Sequence, residues 1–396
     1  MNGFKKELTE NILPFWSEKM IDNEHGGFYG RIDGHDVLHR QANKGAILNA
    51  RILWTFSAAY RLLKNEKYRR TAQRAFDYIV RHFIDKEYGG AYWELDYQGN
   101  PVNTKKQTYV QGFMLYGFSE FYRATGDSQA LQRAVDCFHW IEDYRDRQHG
   151  GYFEAFTRDW QPIDDMRLSD KDANEKKSMN THLHILEPYT NLLRVWKNDE
   201  LATAQRRLID LFTQKILDRR THHLSLFFDE AWQVKSSVIS YGHDIECSWL
   251  LYEAAEVLSD TTLMEPIRQR SLEIAEAATE GLQSDGSLLY EKDGNHEDRE
   301  RHWWVQAEAV VGFMTAYANS GESRYKDAAA GAWRYIRTQL IDPQHGEWYW
   351  SRLADGSINC KDDKAGFWKC PYHNGRLCME MIERFQSRQA TDDRRH

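Results

Sequence analysis

The chain has 396 residues, of which 13% are aromatic and 28% are charged, and its formal net charge is −8. An aromatic-rich composition of this kind is typical of a folded protein and excludes a disordered one. The acidic balance lacks the basic surface that nucleic-acid binding needs, and no apolar run is long enough to span a bilayer. We therefore expect neither a nucleic acid nor a membrane as a partner.

The N-terminal segment, residues 1–20, carries several charges and predicts a helix rather than a signal peptide. The five cysteines show neither a zinc-finger spacing nor a disulfide framework. They are Cys137, Cys247, Cys360, Cys370 and Cys378. An odd number of cysteines without an export signal indicates reduced thiols, so we expect a cytoplasmic protein.

A glycine-centred turn followed by an aromatic, strand-like run recurs along the chain. Clear copies begin at Gly26, Gly89, Gly150, Gly286 and Gly346, and a copy without glycine spans residues 224–228. The copies follow one another at intervals of roughly 60 residues, which predicts a repeat architecture with six units.

Each repeat contains two helical stretches of different character. In residues 68–83, apolar side chains recur at helical spacing between charged ones, which predicts a helix with one face in solvent. Residues 46–63 and 303–317 are apolar nearly all round, which predicts helices buried on most sides. Six outer and six inner helices predict an all-α fold, the (α/α)6 barrel, with short β-hairpin-like segments in its loops. A closed ring is favoured over an open solenoid because no clearly polar repeat caps either end.

The repeats follow one another without a linker rich in proline, glycine or serine, and the whole chain has only 7 prolines. We therefore predict a single catalytic domain over residues 1–385. The polar segment 386–396 is expected to be a flexible C-terminal tail.

The inner helices are predicted to begin near Lys44, Gln107, Thr181, Gly242, His302 and Pro371. Because the connectivity repeats, all six beginnings lie at one mouth of the ring, and the residues just inside them share one cavity. Side chains three or four positions apart on a helix share a face, as His243 and Glu246 do. The candidate residues of this cavity are Arg51, Tyr109, Asn180, His184, His243, Glu246, Trp249, Trp304, Glu308 and His373.

Three histidines in one cavity indicate proton-transfer chemistry, because histidine gives and takes protons near neutral pH. A single histidine is more often an ordinary core residue, but buried charged groups are rare unless paired, and here they gather at one end. The spacings His182-x-His184, His184-x-x-Glu187 and His243-x-x-Glu246 also fit metal ligands, although we predict no metal. Residues two apart cannot share a helical face, so His182 is predicted to be structural.

The long polar segment 158–178 lies between a turn and an inner helix. It should overhang the cavity, either as a loop that covers a substrate or as a plain solvated surface loop. Tryptophan-rich walls suit sugars, because the face of a pyranose is apolar enough to stack on an aromatic ring. The 14 tryptophans could equally fill a wide interior.

Three segments carry a family resemblance: Asn180-Thr-His-Leu-His184-Ile-Leu-Glu187, Gly242-His243-Asp-Ile-Glu246-Cys-Ser-Trp249 and Trp368-Lys-Cys-Pro-Tyr-His373-Asn-Gly-Arg376. They resemble signature segments of the N-acylglucosamine 2-epimerase superfamily, and the similarity extends over residues 4–385. The resemblance implies an (α/α)6 barrel and an isomerase. The expected reaction inverts carbon 2 of the reducing-end glucose in β-1,4-linked disaccharides such as cellobiose and lactose.

The resemblance also implies roles for single residues. His243 and His373 match the two general acid/base histidines, and His184 matches a third essential histidine. The positions that bind or orient the sugar correspond to Arg51, Tyr109, Asn180, Glu246, Trp249, Trp304, Glu308 and Trp368. Pro188 departs from the family pattern, and a proline inside a helix tends to kink it. Regular helix geometry therefore predicts the direction of His243 better than that of His184.

The implied chemistry proceeds through an open-chain sugar, because the carbon-2 proton is acidic only beside an aldehyde. One histidine takes that proton and leaves a cis-enediol or enediolate, and the other returns a proton to the opposite face. Neither a metal nor any other cofactor is required. We expect a small disaccharide substrate, and a monomer rather than a homodimer.

Other functions are open at this point. A monosaccharide 2-epimerase or an aldose–ketose isomerase, acting on mannose or N-acetylglucosamine, would share the enediol step. A glycoside hydrolase would use a carboxylate pair such as Glu246 and Glu308. A non-catalytic protein would bind a saccharide without exchanging the proton at carbon 2.

Overall fold

The structure, a computed structural model, describes residues 2–392, with side chains through residue 386. The helices are α1 (Asn2–Lys6), α2 (Ala46–Leu63), α3 (Glu66–Tyr78), α4 (Thr108–Thr125), α5 (Ser128–Asp143), α6 (Met179–Leu193), α7 (Asp199–Leu211), α8 (Tyr241–Leu258), α9 (Thr261–Ala278), α10 (Trp303–Ser320), α11 (Ser323–Tyr335) and α12 (Tyr372–Asp392). Wider π-helical turns are found at Glu7–Ile12, Phe15–Lys19, Ile79–Phe83, Phe212–Ile216 and Ile336–Leu340, and a 3₁₀ turn at Thr279–Gly281.

The strands are two or three residues long and lie in the loops between helices. They are β1 (Lys44–Gly45), β2 (Glu94–Leu95), β3 (Pro101–Asn103), β4 (Lys106–Gln107), β5 (Ala155–Phe156), β6 (Lys177–Ser178), β7 (Phe227–Phe228), β8 (Ile239–Ser240), β9 (Glu291–Asp293), β10 (His296–Asp298), β11 (Arg301–His302) and β12 (Ser351–Arg352). All pairings are antiparallel, in the orders β1-β2-β3, β4-β5, β6-β7, β8-β9-β10 and β11-β12. Each small sheet therefore joins the start of an inner helix to the turn of the following repeat.

Six inner helices form a closed ring. Helices α2, α4, α6, α8, α10 and α12 each contact the next, and α12 contacts both α10 and α2. Helices α3, α5, α7, α9 and α11 pack outside them, and the N-terminal helical segment packs against α12. Ile32 and Ala365 exchange backbone hydrogen bonds of 2.8 and 3.1 Å, so the loops also join the first repeat to the last. The all-α (α/α)6 barrel is confirmed, as a closed ring rather than an open solenoid.

Inner and outer helices begin in different ways. Four outer helices carry a side-chain cap that accepts a backbone N–H of the first turn, from Asn65, Asp127, Asn198 and Asp260. In α2, α4, α6, α8 and α10 the first N–H donates to a carbonyl of the next repeat, as Trp303 does to Trp350 at 2.9 Å, and α6 has a side-chain cap from Ser178 as well. All six inner helices begin within two residues of the predicted positions. Their N-termini are thus fixed around one mouth of the ring.

A backbone bridge closes the predicted turn in every repeat, and the turn of the fifth repeat is one residue shorter than the others. Backbone bridges join Ile21 to Phe28, Ile84 to Ala91, Arg145 to Tyr152, Leu217 to Leu224, Leu282 to Leu288 and Ile341 to Trp348. In the second copy, Gly89 and Gly90 have φ values of 72° and 69°, which glycine adopts without steric cost. In the copy without glycine, His222 takes φ 63°, an uncommon value for another residue. The six-fold repeat is therefore confirmed.

A buried lysine precedes three of the inner helices and ties each one to its own turn. The pairs are Lys44 with Asp22 at 2.8 Å, Lys106 with Asp85 at 2.9 Å, and Lys177 with Asp146 at 2.6 Å. The aspartate also accepts from the turn backbone, as Asp22 does from His25 N–H at 2.9 Å. Each ion pair therefore fixes the start of an inner helix against the turn before it.

Helix α12 continues to Asp392 and so includes part of the predicted tail 386–396. The remainder of that tail lies outside the described residues. Among the described helices, none combines the length and the hydropathy that a bilayer-spanning segment requires.

Candidate active site

A cavity of about 360 Å³ opens at the mouth where the inner helices begin. Nine of the eleven candidate residues line it: Arg51, Tyr109, Asn180, His184, His243, Glu246, Trp304, Trp368 and His373. The other two lie behind its wall. Trp249 Nε1 donates to Glu308 Oε2 at 3.0 Å, and Glu308 Oε1 accepts from His373 Nδ1 at 2.7 Å. Trp249 and Glu308 would therefore act on a ligand through His373.

The imidazole rings of His243 and His373 pack against the same indole. Their centroids lie 4.8 and 5.6 Å from that of Trp304. The ring of His184 packs on α4, 5.0 Å from Tyr109. Histidines from three helices of the inner ring therefore reach one cavity.

Each of the three histidines has its Nδ1 held by a partner from the chain. His373 Nδ1 bonds to Glu308, His184 Nδ1 lies 3.1 Å from Glu187 Oε2, and His243 Nδ1 lies 2.8 Å from the hydroxyl of Ser240. A carboxylate partner fixes the proton on Nδ1, because a carboxylate only accepts. Among residues 2–386, Nε2 of these three rings has no hydrogen-bond partner, so it is left for a ligand.

Burial keeps the imidazoles neutral in the unliganded site. Although His243 retains some surface toward the cavity, its depth in the barrel lowers its pKa to about 3. Burial also lowers the pKa of His373, and the nearby Arg51 lowers it further. For His184, burial lowers the pKa more than the Glu187 carboxylate raises it. A neutral ring can accept a proton, which is what a general base must do.

A buried arginine, Arg376, forms the floor of the cavity. Its Nη2 donates to Glu246 Oε1 at 2.7 Å and to Glu308 Oε1 at 2.6 Å, and its Nη1 donates to Glu187. Burial and the neighbouring Glu308 raise the pKa of Glu246 well above its usual value, even with the arginine present. Glu246, Glu308 and His373 lie close enough together to hold a metal ion. The guanidinium already supplies positive charge to both carboxylates.

Arg51 is a buried cation whose hydrogen bonds within the described residues go to neutral groups. Its Nη2 donates to the Tyr109 hydroxyl at 2.8 Å, and its Nη1 lies 3.8 Å from Cys370 Sγ. Burial opposes the charge, but Tyr109 and Cys370 raise the pKa of Arg51 above its usual value. Buried charges are normally paired with an opposite charge. Arg51 is therefore well suited to an oxyanion that forms on a ligand.

Several buried polar atoms of the cavity wall have no hydrogen-bond partner within residues 2–386. They are Arg51 Nε, Asn180 Oδ1, Glu246 Oε2, Trp303 Nε1 and Trp350 Nε1. A buried donor or acceptor without a partner costs about 1–3 kcal/mol. A ligand with many hydroxyl groups could satisfy both the donors and the acceptors of this set.

The cavity extends beyond the histidines toward the loops. Residues 168–172 line it, so the segment 158–178 overhangs the cavity as its position in the repeat predicted. Tyr290, His302, Trp303, Trp350 and Asp362 also line the cavity. Tyr290, Trp350 and Asp362 lie in the loops, away from the predicted starts of the inner helices, whereas His302 and Trp303 lie at such a start and were given no role from the sequence. Tyr290 and Trp350 belong to the aromatic runs after the glycine turns, which was the available signal.

Three residues of the cavity floor were also given no role from the sequence. Tyr372 and Arg376 lie on one face of α12, and both donate to Glu187 on α6. The spacing Tyr372-x-x-x-Arg376 was visible, as was the spacing of Glu187 from His184. Their common target, however, lies on a different helix and 185 or more positions away in sequence.

His182 has the structural role that its spacing predicted. Its Nδ1 donates to the Ser178 carbonyl at 2.7 Å, and its Nε2 accepts from Tyr152 N–H at 3.0 Å. Gln111 and Gln306 bind the turns of their own repeats in the same way, accepting a backbone N–H at 2.8 Å. His182, Gln111 and Gln306 occupy equivalent positions in their repeats, and each side chain holds the turn of its repeat against the inner helix.

We expect His182→Gln to flatten the loss of stability in acid. Burial lowers the pKa of His182 to about 4, whereas an unfolded chain has a value near 6.5. The folded state resists protonation of this ring, so its contribution is lost as the pH falls from about 6.5 to about 4. Glutamine keeps a donor and an acceptor but takes no proton. The slope of the free energy of unfolding against pH should therefore fall by up to about 1.4 kcal/mol per pH unit. Urea unfolding of both proteins between pH 4.5 and 7 measures this, and parallel curves would contradict it.

Comparison with known proteins agrees with the fold. Residues 27–375 match the family model described as N-acylglucosamine 2-epimerase (GlcNAc 2-epimerase). The chain is 58% identical to a cellobiose 2-epimerase of Bacteroides fragilis, over 96% of this chain and 97% of that one. It is 40% identical to a cellobiose 2-epimerase of Ruminococcus albus, over 97% and 98%. The solved structure of cellobiose 2-epimerase from Bacillus thermoamylovorans superposes with a TM-score of 0.93 at 42% identity, covering 97% and 98%. The chain belongs to the N-acylglucosamine 2-epimerase family and is an isomerase, a sugar 2-epimerase.

Proposed function

We propose that this protein inverts carbon 2 of the reducing-end glucose in β-1,4-linked disaccharides, converting cellobiose to glucosyl-mannose and lactose to epilactose. One observation carries the proposal: His243 and His373 pack against one indole in a single cavity, each with Nε2 unengaged. The relatives named cellobiose 2-epimerase support the choice of substrate.

Both rings are neutral in the unliganded site, so the proposed reaction takes up one proton from water together with the sugar, which leaves one histidine neutral and the other protonated. The sugar ring first opens, with the anomeric hydroxyl losing a proton and the ring oxygen gaining one. The neutral histidine of the His243–His373 pair then takes the carbon-2 proton, and the other gives a proton to the opposite face. The two rings have now exchanged protonation states, and exchange with water restores them. Hydrogen from the solvent should therefore appear at carbon 2 of the product.

The remaining groups stabilise the intermediate and move protons between oxygens. Arg51 would hold the negative charge of the enediolate, because its charge meets no carboxylate among the described residues. His184 would carry protons during ring opening, with Glu187 fixing its tautomer. Glu308 would stabilise the imidazolium of His373 when that ring is protonated.

The outer part of the cavity supports a disaccharide rather than a monosaccharide. Tyr290, Trp350 and the overhanging residues 168–172 lie beyond the histidines and offer aromatic faces and charged groups. The non-reducing sugar would bind there, with the reducing end beside Trp304. Asn180, Tyr109, Glu246 and Trp368 would bind or orient the reducing sugar, as proposed from the resemblance.

A hydrolytic function is less well supported by the geometry. Glu246 and Glu308 both accept from the same nitrogen of Arg376, and Glu308 lies behind the cavity wall. A glycosidase needs its two carboxyl groups on either side of the scissile bond, with one of them protonated. Two carboxylates that share one guanidinium cannot flank a bond in this way.

The direct test incubates the protein with cellobiose in deuterated water. We expect glucosyl-mannose that carries deuterium at carbon 2. Parallel incubations with mannose and N-acetylglucosamine test the monosaccharide activities. Release of free glucose from cellobiose would indicate hydrolysis, and saccharide binding without exchange at carbon 2 would indicate a binding protein. Either result would reject the proposal.

The cellular setting remains a prediction. All five cysteines are unpaired, which supports a reducing compartment such as the cytoplasm. We propose that the protein works as a monomer on a small sugar, with no cofactor and with neither nucleic acid nor membrane as partner.

A further inference from the structure

Helix α6 is kinked at a residue of the candidate active site. His184 has φ −89° and ψ 16°, outside the helical range, although it lies in the middle of the helix. Pro188 lies four positions further on. A proline lacks the N–H that would bond to the carbonyl four residues earlier, and its ring pushes that carbonyl away. In α6 the displaced carbonyl is that of His184.

The displaced carbonyl comes to lie against a glycine of α4. A Cβ added at Gly112 would fall far inside contact distance of the His184 carbonyl oxygen, and it would lie 3.8 Å from Pro188 Cγ. The His184 carbonyl is the obstacle, and because it is backbone it cannot rotate away as a side chain can; Pro188 lies at an ordinary van der Waals distance. Only glycine allows α4 to approach the kinked segment this closely.

Helix α4 also holds the imidazole of His184. The ring lies 5.0 Å from Tyr109 and 5.0 Å from Phe113, which are four positions apart on one face of α4, three positions before and one position after Gly112. Its Nδ1 reaches Glu187, which lies between the kink and the proline. The same contact between α4 and α6 therefore sets both the backbone and the ring of His184.

We propose that Gly112 and Pro188 are a coupled pair of positioning residues: the proline displaces the His184 carbonyl, and the glycine makes room for it, so that His184 Nε2 faces the substrate cavity. The inference rests on the proposed function, in which His184 moves protons during ring opening. It gives Pro188 a role together with a glycine on the neighbouring helix.

Coupling makes the proposal testable with a double-mutant cycle. Gly112→Ala forces the carbonyl or the helix to move, and a displacement of about 1 Å at a catalytic group can cost roughly a hundredfold in rate. Pro188→Ala restores an N–H that can draw the carbonyl back into the helix, so that an alanine at 112 no longer collides with it. The effect of Gly112→Ala should therefore depend on residue 188.

We expect Gly112→Ala to lower kcat about tenfold or more when residue 188 is proline, with a smaller change in KM. In the Pro188→Ala background the same substitution should cost less than about threefold. Gly331→Ala is the matched control, because its Cβ also meets backbone, at 3.2 Å from Gly286 Cα, but on the outer helix α11. It should leave kcat unchanged. Equal losses in both backgrounds, or no loss in either, would overturn the proposal.

A second readout does not depend on turnover. NMR of protein carrying ¹⁵N-labelled histidine follows the His184 ring, identified by its loss in His184→Gln. Gly112→Ala should shift this signal and its pH titration, and adding Pro188→Ala should move both back. If the wild-type protein epimerises none of the sugars tested, the proposed function fails, while this titration still decides the positioning role. An unchanged His184 signal in Gly112→Ala would reject that role.

Discussion

Replacing either His243 or His373 by alanine should lower the rate of epimer formation from cellobiose by at least about 10³-fold. General acid–base catalysis contributes roughly 10²–10⁴-fold per group, and inversion needs a proton on each face of carbon 2. Both rings reach one cavity and both have Nε2 unengaged. Initial rates of glucosyl-mannose formation, followed by chromatography, measure the loss.

The two variants should differ in the proton exchange that they retain. With one histidine gone, the other can still remove the proton of one epimer and return deuterium to the same face. In deuterated water, one variant should therefore incorporate deuterium at carbon 2 of cellobiose without inverting it. The other should incorporate deuterium only when glucosyl-mannose is the substrate. This result would assign each histidine to a face of carbon 2. His139→Ala removes an exposed histidine of α5 and should keep the wild-type rate. If either active-site variant kept more than a tenth of the wild-type rate of inversion, the assignment of His243 and His373 as the acid–base pair would be wrong.

Local patterns in the sequence were enough to predict the barrel and the ring of candidate residues. The start of each inner helix follows from a switch from aromatic strand-like runs to apolar helical ones, and the repeat then fixes the common mouth. Arg51, His243 and Trp304 sit just inside those starts, so repeat geometry brings them together. Periodicity sufficed because these positions are set by their own helix.

The depth of the cavity could not be predicted in the same way. Trp249 lies three positions beyond Glu246 on α8, which places it one turn deeper, and the layer around Arg376 separates it from the cavity. Arg376 meets partners 68, 130 and 189 positions away in sequence. A single helix pattern does not reveal which carboxylates an arginine will meet across the barrel. The floor of the site therefore emerged only from the packed structure.

That floor leads to the second large effect, which is on stability. Arg376→Met keeps much of the side-chain volume but removes the cation that Glu187, Glu246 and Glu308 share. Removing one partner of a buried ion pair typically costs about 3–5 kcal/mol, because the remaining charge is left buried without compensation. We expect a loss of at least this size in the free energy of unfolding at pH 7.5, measured by urea denaturation.

The destabilisation caused by Arg376→Met should become smaller as the pH falls. The direction of this change distinguishes an electrostatic cause from a loss of packing. Without the cation, the pKa of Glu246 rises further above the value near 4.3 of an unfolded glutamate, and the pKa of Glu187 loses the arginine that helps to lower it. The folded variant then binds more protons than the unfolded chain, so its stability relative to wild type increases from pH 8 toward pH 5. Arg384→Met is the matched control on α12, because Arg384 is partly exposed and bonds to Glu380 at 3.4 Å. A solvent-accessible pair contributes about 0–1 kcal/mol, and Arg384 and Glu380 keep 30% and 24% of their side-chain surface in solvent, so the control should unfold nearly as the wild type does. A defect of Arg376→Met that stays constant between pH 5 and 8 would mean that lost packing, rather than three uncompensated carboxylates, destabilises the barrel.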